Sequence, residues 1–182
     1  MMWLLELLED ELHNLAAGTD HDYKIMENII NYFNHYPNSY HHPFEDKVFE
    51  WLLNECPSQA GIINELLADH ESQSKLGRDL FMLVTAIQSG HMVPREKLVS
   101  ELELFISVQR NHINKEEGRL FKDAEEVLTG LHLDEIPIPD RAALDPLFGE
   151  SIDSSYAELA ALAERRHDSS SIDAAVSEKP NK

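Results

Sequence analysis

Apolar residues recur every three or four positions through most of the first 128 residues, which is the spacing of amphipathic helices. The pattern predicts four long helices, at about 2–17, 22–55, 59–88 and 95–128. The residues predicted to face the core are Leu5, Leu8, Leu12, Leu15, Ile25, Ile29, Phe33, Val48, Leu52, Ile63, Leu66, Leu80, Val84, Ile87, Leu98, Leu102, Phe105 and Leu120. Because the connections are short, the sequence predicts an all-α fold, an antiparallel up-down-up-down four-helix bundle.

The helix boundaries are predicted from turn and capping residues. Gly18 is expected to stop the first helix, and Asp20 is expected to cap the second. Pro37 and Pro43 interrupt the second helical pattern and are expected to kink or split it. Ser58 is a candidate N-cap for the third helix.

The C-terminal third of the chain has a different pattern, which divides the chain into three predicted parts. Residues 1–130 form the bundle, and residues 131–167 form an extension. Short helices near 141–148 and 154–167 are expected to pack on the outside of the bundle. Residues 168–182 are polar and lack an apolar stripe, so they are expected to be disordered.

Charge and composition narrow the class of partner. The net charge of -19 argues against a surface that neutralises nucleic-acid phosphates or anionic lipids. The N-terminal stretch lacks the basic region of a signal peptide, and the least charged run, residues 80–94, is too short and too polar to span a bilayer. The expected compartment is therefore the cytoplasm. Cys56 is the single cysteine, so any metal site must use nitrogen and oxygen ligands.

The stretch 41-HHPFEDKVF-49 contains candidate ligands for such a site. A histidine and a carboxylate four residues apart share a helix face. His41 continues the face of Ile29 and Phe33 and leads to Glu45, so His41 with Glu45 is the preferred inward pair. His42 with Asp46 has the same spacing on a face that looks more polar. Because Pro37 disturbs the helix, the register stays open between the two pairs.

The third and fourth helices carry matching candidates. His70 falls on the apolar stripe of its helix, and His112 falls on the stripe of the next one. Glu116 lies one turn after His112 on the same face, with Glu117 as the neighbouring alternative.

These candidates lie at one level of the predicted bundle. At about 1.5 Å per residue, His41, His70 and His112 are equally far from the turns that join their helices. Two buried carboxylates without compensation would each cost several kcal/mol, so a cation is expected between them. Imidazole and carboxylate ligands from several helices suit a di-iron or di-manganese site. The first helix offers no ligand at this level, because His13 and His21 lie roughly 25 Å away.

Three stretches in this order resemble the hemerythrin-like family of HHE cation-binding domains, in its bacterial form. They are 40-YHHPFEDKVF-49, 69-DHE-71 and 112-HINKEEGRLF-121. The runs 8-LEDELHNLAAGTDHDYKIMENIINYFNHYP-37 and 141-RAALDPLFG-149 are similar to the family too, so the resemblance covers about residues 2–165. It implies non-haem iron, commonly a carboxylate-bridged pair, that meets dioxygen or a related small oxidant.

Carried over by position, the resemblance implies five metal ligands. They are the imidazoles of His41, His70 and His112 and the bridging carboxylates of Glu45 and Glu116. Two departures stand out. Many members have a histidine early on the first helix, and this chain is expected to start just after that point. Oxygen carriers have a second histidine on the third helix, where Ser74 stands here. Both departures leave metal positions open or weakly held.

Three functions follow from these expectations. The first is a non-haem iron protein that binds or senses dioxygen, peroxide or nitric oxide, for example in a response to iron, oxidative or nitrosative stress. The second is an iron-dependent oxidoreductase that uses the same ions for turnover. The third is a metal-free helical interaction module. The sequence does not decide whether the chain is an enzyme.

Overall fold

The computed structural model describes residues 1–123, Asp145, Leu147 and 154–162, and its regular structure in these residues is helical. The chain divides into two compact units, residues 1–139 and 140–182. The boundaries predicted at 130 and 167 remain predictions. The all-α class is confirmed, since the first unit consists of several helices packed on one another.

The first helix, α1, spans Met2–Ala17 and ends as predicted at Gly18. Gly18 has a left-handed backbone (φ 72°), and its N–H donates to the carbonyl of Leu15 at 3.1 Å. Glycine suits this position because it has no Cβ to clash there. The predicted apolar stripe of α1 is buried, and Leu4 is buried beside it.

The second predicted helix is continuous but changes its pitch in the middle. It consists of α2 (Tyr23–Tyr36), a π-helical turn that we name π1 (Pro37–His41) and α3 (His42–Glu55). The prediction that Asp20 caps it is wrong, because α2 begins at Tyr23. Asp22 is the cap, and its carboxylate accepts from the N–H groups of Lys24 at 2.7 Å and Ile25 at 3.2 Å.

The two prolines neither split this helix nor leave it as a regular α-helix. In π1 the N–H of His42 donates to the carbonyl of Pro37, five residues earlier instead of four. A π-turn accommodates one extra residue in a helix. Every later residue is therefore rotated by about 100° from the position that a regular α-helix would give it. This rotation determines which side chains of α3 face the core.

The third and fourth predicted helices occur close to their expected limits. A 3-10 turn (Pro57–Gln59) precedes α4 (Ala60–Gln88), and α5 (Arg95–Lys115) continues through a second π-turn, π2 (Glu116–Leu120), into α6 (Phe121–Asp123). The prediction that Ser58 caps the third helix is wrong, because Ser58 lies within the 3-10 turn and α4 has no side-chain cap. The predicted end of the fourth helix, at about residue 128, lies outside the described residues.

Contacts between helices place the core of the first unit. Helix α1 packs on α2 and α5, α2 and α3 pack on α4, and α4 packs on α5. The predicted inward residues are buried except Ile25 and Ile87, which are half-buried. The side chain of Asn34 in α2 packs on Gly77 of α4 and leaves no room for a Cβ there. None of the described helices has the length and apolar character needed to cross a membrane.

In the second unit, the structure describes Asp145, Leu147 and a short helical segment. Ser154–Tyr156 form a 3-10 turn and residues 157–162 continue as helix, which confirms part of the helix predicted at 154–167. Tyr156 and Leu159 are buried. Most of the predicted helix at 141–148 and all of the predicted disordered tail, 168–182, lie outside the described residues.

Candidate metal centre

The five side chains expected to form a site come together inside the first unit. Nε2 of His41 lies 2.6 Å from Glu45 Oε1, and Nε2 of His70 lies 3.6 Å from Glu45 Oε2. Nε2 of His112 lies 3.9 Å from Glu116 Oε2. The residues come from π1, α3, α4, α5 and π2, and the short distances between them show the equal depth expected from the sequence.

The potential ligand atoms fall into two groups that share Glu45. Within each group the atoms lie within 4.8 Å of one another. One group consists of His41, Glu45 and Glu116, and the other of His42, Glu45, His70 and His112. Glu45 is therefore the carboxylate that the two groups have in common. Glu117, the alternative to Glu116, is exposed and belongs to neither group.

His42 is the residue that the sequence interpretation misjudged. It was expected on the more polar face, yet it is 8% exposed. Asp46, its partner in that alternative, lies 3.2 Å from Nδ1 of His70. The cause is π1, because one extra residue per turn brings the consecutive His41 and His42 both toward the interior. Pro37 signalled that the helix was disturbed, but it did not give the direction of the rotation.

The ring of His42 stacks on the ring of His70, with centroids 3.8 Å apart and planes inclined by 8°. An imidazole binds a metal along the nitrogen lone pair, which lies in the ring plane. An ion in the plane of His70 therefore lies well outside the plane of His42. In this arrangement the two rings suit stacking better than shared ligation, although their nitrogens are close.

Two histidines of the site, His42 and His112, have pKa values well below neutrality. Burial, followed by repulsion from His70, lowers the pKa of His42 to about 2 and that of His112 to about 4. Burial lowers the pKa of His70 too, against the attraction of Asp46, which raises it. Neutral imidazoles carry a free lone pair, which is the form that binds metals.

The carboxyl group of Glu116 has the opposite shift. Burial, followed by hydrogen bonding and repulsion from Glu45, raises the pKa of Glu116 to about 9. Without a cation, this pair of facing carboxyl groups therefore retains a proton at neutral pH. A divalent cation would displace that proton and stabilise both carboxylates.

Several buried nitrogens of the site have no hydrogen-bond partner among the described residues. They are Nε2 of His70 and both ring nitrogens of His112. Leaving a buried polar atom unsatisfied costs about 1–3 kcal/mol, so such atoms indicate a missing partner. Imidazole nitrogens and carboxylate oxygens together suit iron, manganese or zinc. The residues present therefore fit a bound transition metal.

At two positions where the family resemblance implied a histidine, the described residues supply none. Ser74 donates a hydrogen bond to Asn38 Oδ1 in π1, and Asn38 Nδ2 donates to the carbonyl of Asn34 at 2.7 Å. Among the described residues, α1 contributes to neither ligand group. His13 is exposed, and His21 pairs with the carbonyl of Thr19 at 2.7 Å, as expected for surface residues.

Comparison with known proteins agrees with the geometry. The family model described as "Hemerythrin HHE cation binding domain" matches residues 1–124, which contain all the candidate ligands. Searches of curated proteins and of solved structures found no match. A cluster of imidazoles and carboxylates between packed helices, within a match that covers more than half of the sequence, shows that this chain belongs to the hemerythrin HHE cation-binding domain family.

Proposed function

We propose that this chain is a cytoplasmic protein that holds two non-haem iron ions and binds or senses a small oxidant such as dioxygen, peroxide or nitric oxide. The five proposed ligands are His41, Glu45, His70, His112 and Glu116. The observation that carries the proposal is the set of buried imidazole nitrogens without a hydrogen-bond partner among the described residues, clustered with two buried carboxyl groups. The family of the chain supports a metal at this place.

The proposed scaffold is the antiparallel up-down-up-down bundle. Short connections between α1 and α2, between α3 and α4, and between α4 and α5 support it, as do the contacts of α1 with α5 and of α2 with α4. In such a bundle the ligands project inward from the helices that follow α1. Phe49, which belongs to a buried apolar cluster with Val48 and Leu66, stacks on the ring of His70 with centroids 6.0 Å apart.

The chain's own residues would divide the work as follows. His70 and His112 would hold one ion, and His41 would hold the other. Glu45 belongs to both ligand groups, and Glu116 would release its proton to solvent on binding a cation. Bound iron would supply an open coordination position for the oxidant and one-electron redox chemistry. Ser74, in place of an imidazole, leaves the ligand set short, which favours access of small molecules over reversible oxygen carriage.

Metal analysis tests this proposal directly. The protein is purified without chelator, loaded with Fe(II) without oxygen and desalted, and its iron content is measured beside that of Glu45→Gln. We expect about two irons per chain in the unaltered protein, as in carboxylate-bridged di-iron bundles. Glu45→Gln should retain little, because both positions share this residue. Iron-free protein after loading would contradict the proposal.

A second candidate function is a metal-free interaction module. It is favoured by the hydrogen bond from Ser74 to Asn38 and by the absence of a described α1 residue from the ligand groups. The same metal analysis separates it from the first. Near-ultraviolet bands that change with oxygen would support a sensor or binder, whereas turnover of peroxide would support an iron-dependent oxidoreductase.

A further inference from the structure

His70 and His112 differ in how a neighbouring carboxylate meets the ring nitrogen that points away from the site. Nδ1 of His70 lies 3.2 Å from Asp46 Oδ1, which is a hydrogen-bond distance. Nδ1 of His112 lies 3.7 Å from Asp69 Oδ2, which is too long for one. A carboxylate that accepts the Nδ1 proton makes the opposite nitrogen a stronger metal ligand. The two imidazoles are therefore unequal donors.

A cation contacts the same carboxylate oxygen of Asp69. Lys115 donates to the same Asp69 oxygen at 2.8 Å, and its only other described carboxylate partner is Glu65 at 3.8 Å. Lys115 lies three residues after His112, so both donors approach Asp69 from one helix face. Half-buried Asp69 is thus held by the ammonium group instead of the imidazole.

We propose that Lys115 tunes the metal centre by holding Asp69 away from His112, which keeps His112 a weaker ligand than His70. This inference rests on the proposed metal binding. Lys115 and Asp69 are positioning residues, because they act through His112 and do not touch the metal. Removing the ammonium group frees Asp69 to accept the Nδ1 proton of His112, whose Nδ1 has no hydrogen-bond partner among the described residues.

The surroundings of Lys115 make this idea testable by substitution. Lys115 and Asp69 line a surface cleft of about 370 Å³, so a shorter or uncharged side chain meets open space. Arg119 lines the same cleft and has no ion pair with Asp69 in the described structure. Arg119→Met is therefore a matched control that removes one positive charge without releasing Asp69.

The experiment measures anaerobic Fe(II) affinity by competition, together with the reduction potential of the loaded centre. Outer carboxylates typically change metal affinity by about 10–100-fold. We expect Lys115→Met and Lys115→Gln to tighten binding by several-fold up to about 10-fold and to lower the potential. Asp46→Asn should weaken binding by about 10–100-fold, and Asp69→Asn alone should change it much less.

The double variant Asp69→Asn with Lys115→Met decides the mechanism. It should lose the gain of Lys115→Met, whereas Arg119→Met and Glu65→Gln should behave like the unaltered protein. Urea unfolding of each metal-free variant separates a change in ligation from a change in the fold. A gain that persists without Asp69, or an equal gain in Arg119→Met, would overturn the inference while leaving metal binding intact. Absence of Fe(II) binding by the unaltered protein would overturn both proposals.

Discussion

Glu45 is the residue through which the two groups of potential ligands meet, and its place could be predicted from the sequence. The four-residue spacing from His41 and the apolar stripe leading to Val48 indicated an inward carboxylate, and Glu45 is 3% exposed. His70, His112 and Glu116 could be predicted for the same reason. The outer partners Asp46 and Asp69 could not be assigned in this way, because half-exposed carboxylates look like ordinary surface residues in a sequence.

The stacked imidazole of His42 gives a prediction about ligand identity. His42→Phe should keep most of the bound iron, because a phenyl ring retains the stack on His70 without a nitrogen. His70→Phe should lose iron from at least one position, because it removes a proposed ligand. Iron content per chain after anaerobic loading measures both variants. Equal loss in the two would show that His42 is itself a ligand.

The carboxyl group of Glu116 gives a prediction about pH and the stability of the metal-free protein. Its pKa is raised from 4.5 to about 9, so between these values the folded protein keeps a proton that the unfolded chain has released. Stability therefore falls as pH rises through this range, by at most about 1.4 kcal/mol per pH unit.

The depressed pKa values of His42 and His112 act in the opposite direction. Below 6.5 the unfolded chain binds protons that these buried imidazoles do not, so stability rises with pH up to that value. The free energy of unfolding in chelator should therefore peak near pH 6.5. Urea titrations at several pH values measure it, and Glu116→Gln should flatten the decline above the peak. If stability still declined equally above the peak in Glu116→Gln, other titrating groups would be its cause.

At the scale of elements, the π-turns explain most of the difference between expectation and structure. Apolar periodicity predicted the helices, because burial of one face repeats at the helical period. It assumed a constant pitch, whereas π1 and π2 each insert one residue beside the site. Single-turn π-helices occur frequently at functional sites, where they redirect side chains. Here π1 turns both His41 and His42 inward.

Deleting exposed Ser39 from π1 tests this role. Removing the extra residue should convert the π-turn into regular α-helix and leave α3 in its present rotation about the helix axis, because the π-turn accommodates one residue more than an α-turn. Glu45 should therefore stay in the site, and iron binding should largely persist. Inserting one alanine after Ser39 instead should rotate α3 by about 100° and turn Glu45 out of the site, so iron binding should be lost while helical content by circular dichroism stays nearly unchanged. Normal iron content in the insertion variant would show that the rotation of α3 does not determine the site.

At the scale of the whole molecule, the sequence allowed the helical class and the common depth of the site to be predicted. Both depend on chain lengths between turns, which glycines and prolines mark clearly. The packing partners of individual side chains could not be predicted, because they depend on the rotation of each helix about its axis. The contact of the Asn34 side chain with Gly77, whose carbonyl accepts from Asn34 Nδ2 at 3.0 Å, is one example.

The net charge of -19 predicts two separable effects of ions on stability. Added NaCl should raise the melting temperature of the metal-free protein modestly, because screening reduces repulsion among like charges. Fe(II) should raise it further through specific binding, by about 2.7 kcal/mol of unfolding free energy at a free concentration 100 times the dissociation constant. Calorimetry or fluorescence under anaerobic conditions measures both effects.

Glu45→Gln should keep the response to NaCl and lose most of the response to Fe(II), because the variant retains nearly the whole surface charge but lacks the carboxylate common to both ligand groups. A Fe(II) response of equal size in the two proteins would place the bound ions on the acidic surface instead of between the helices.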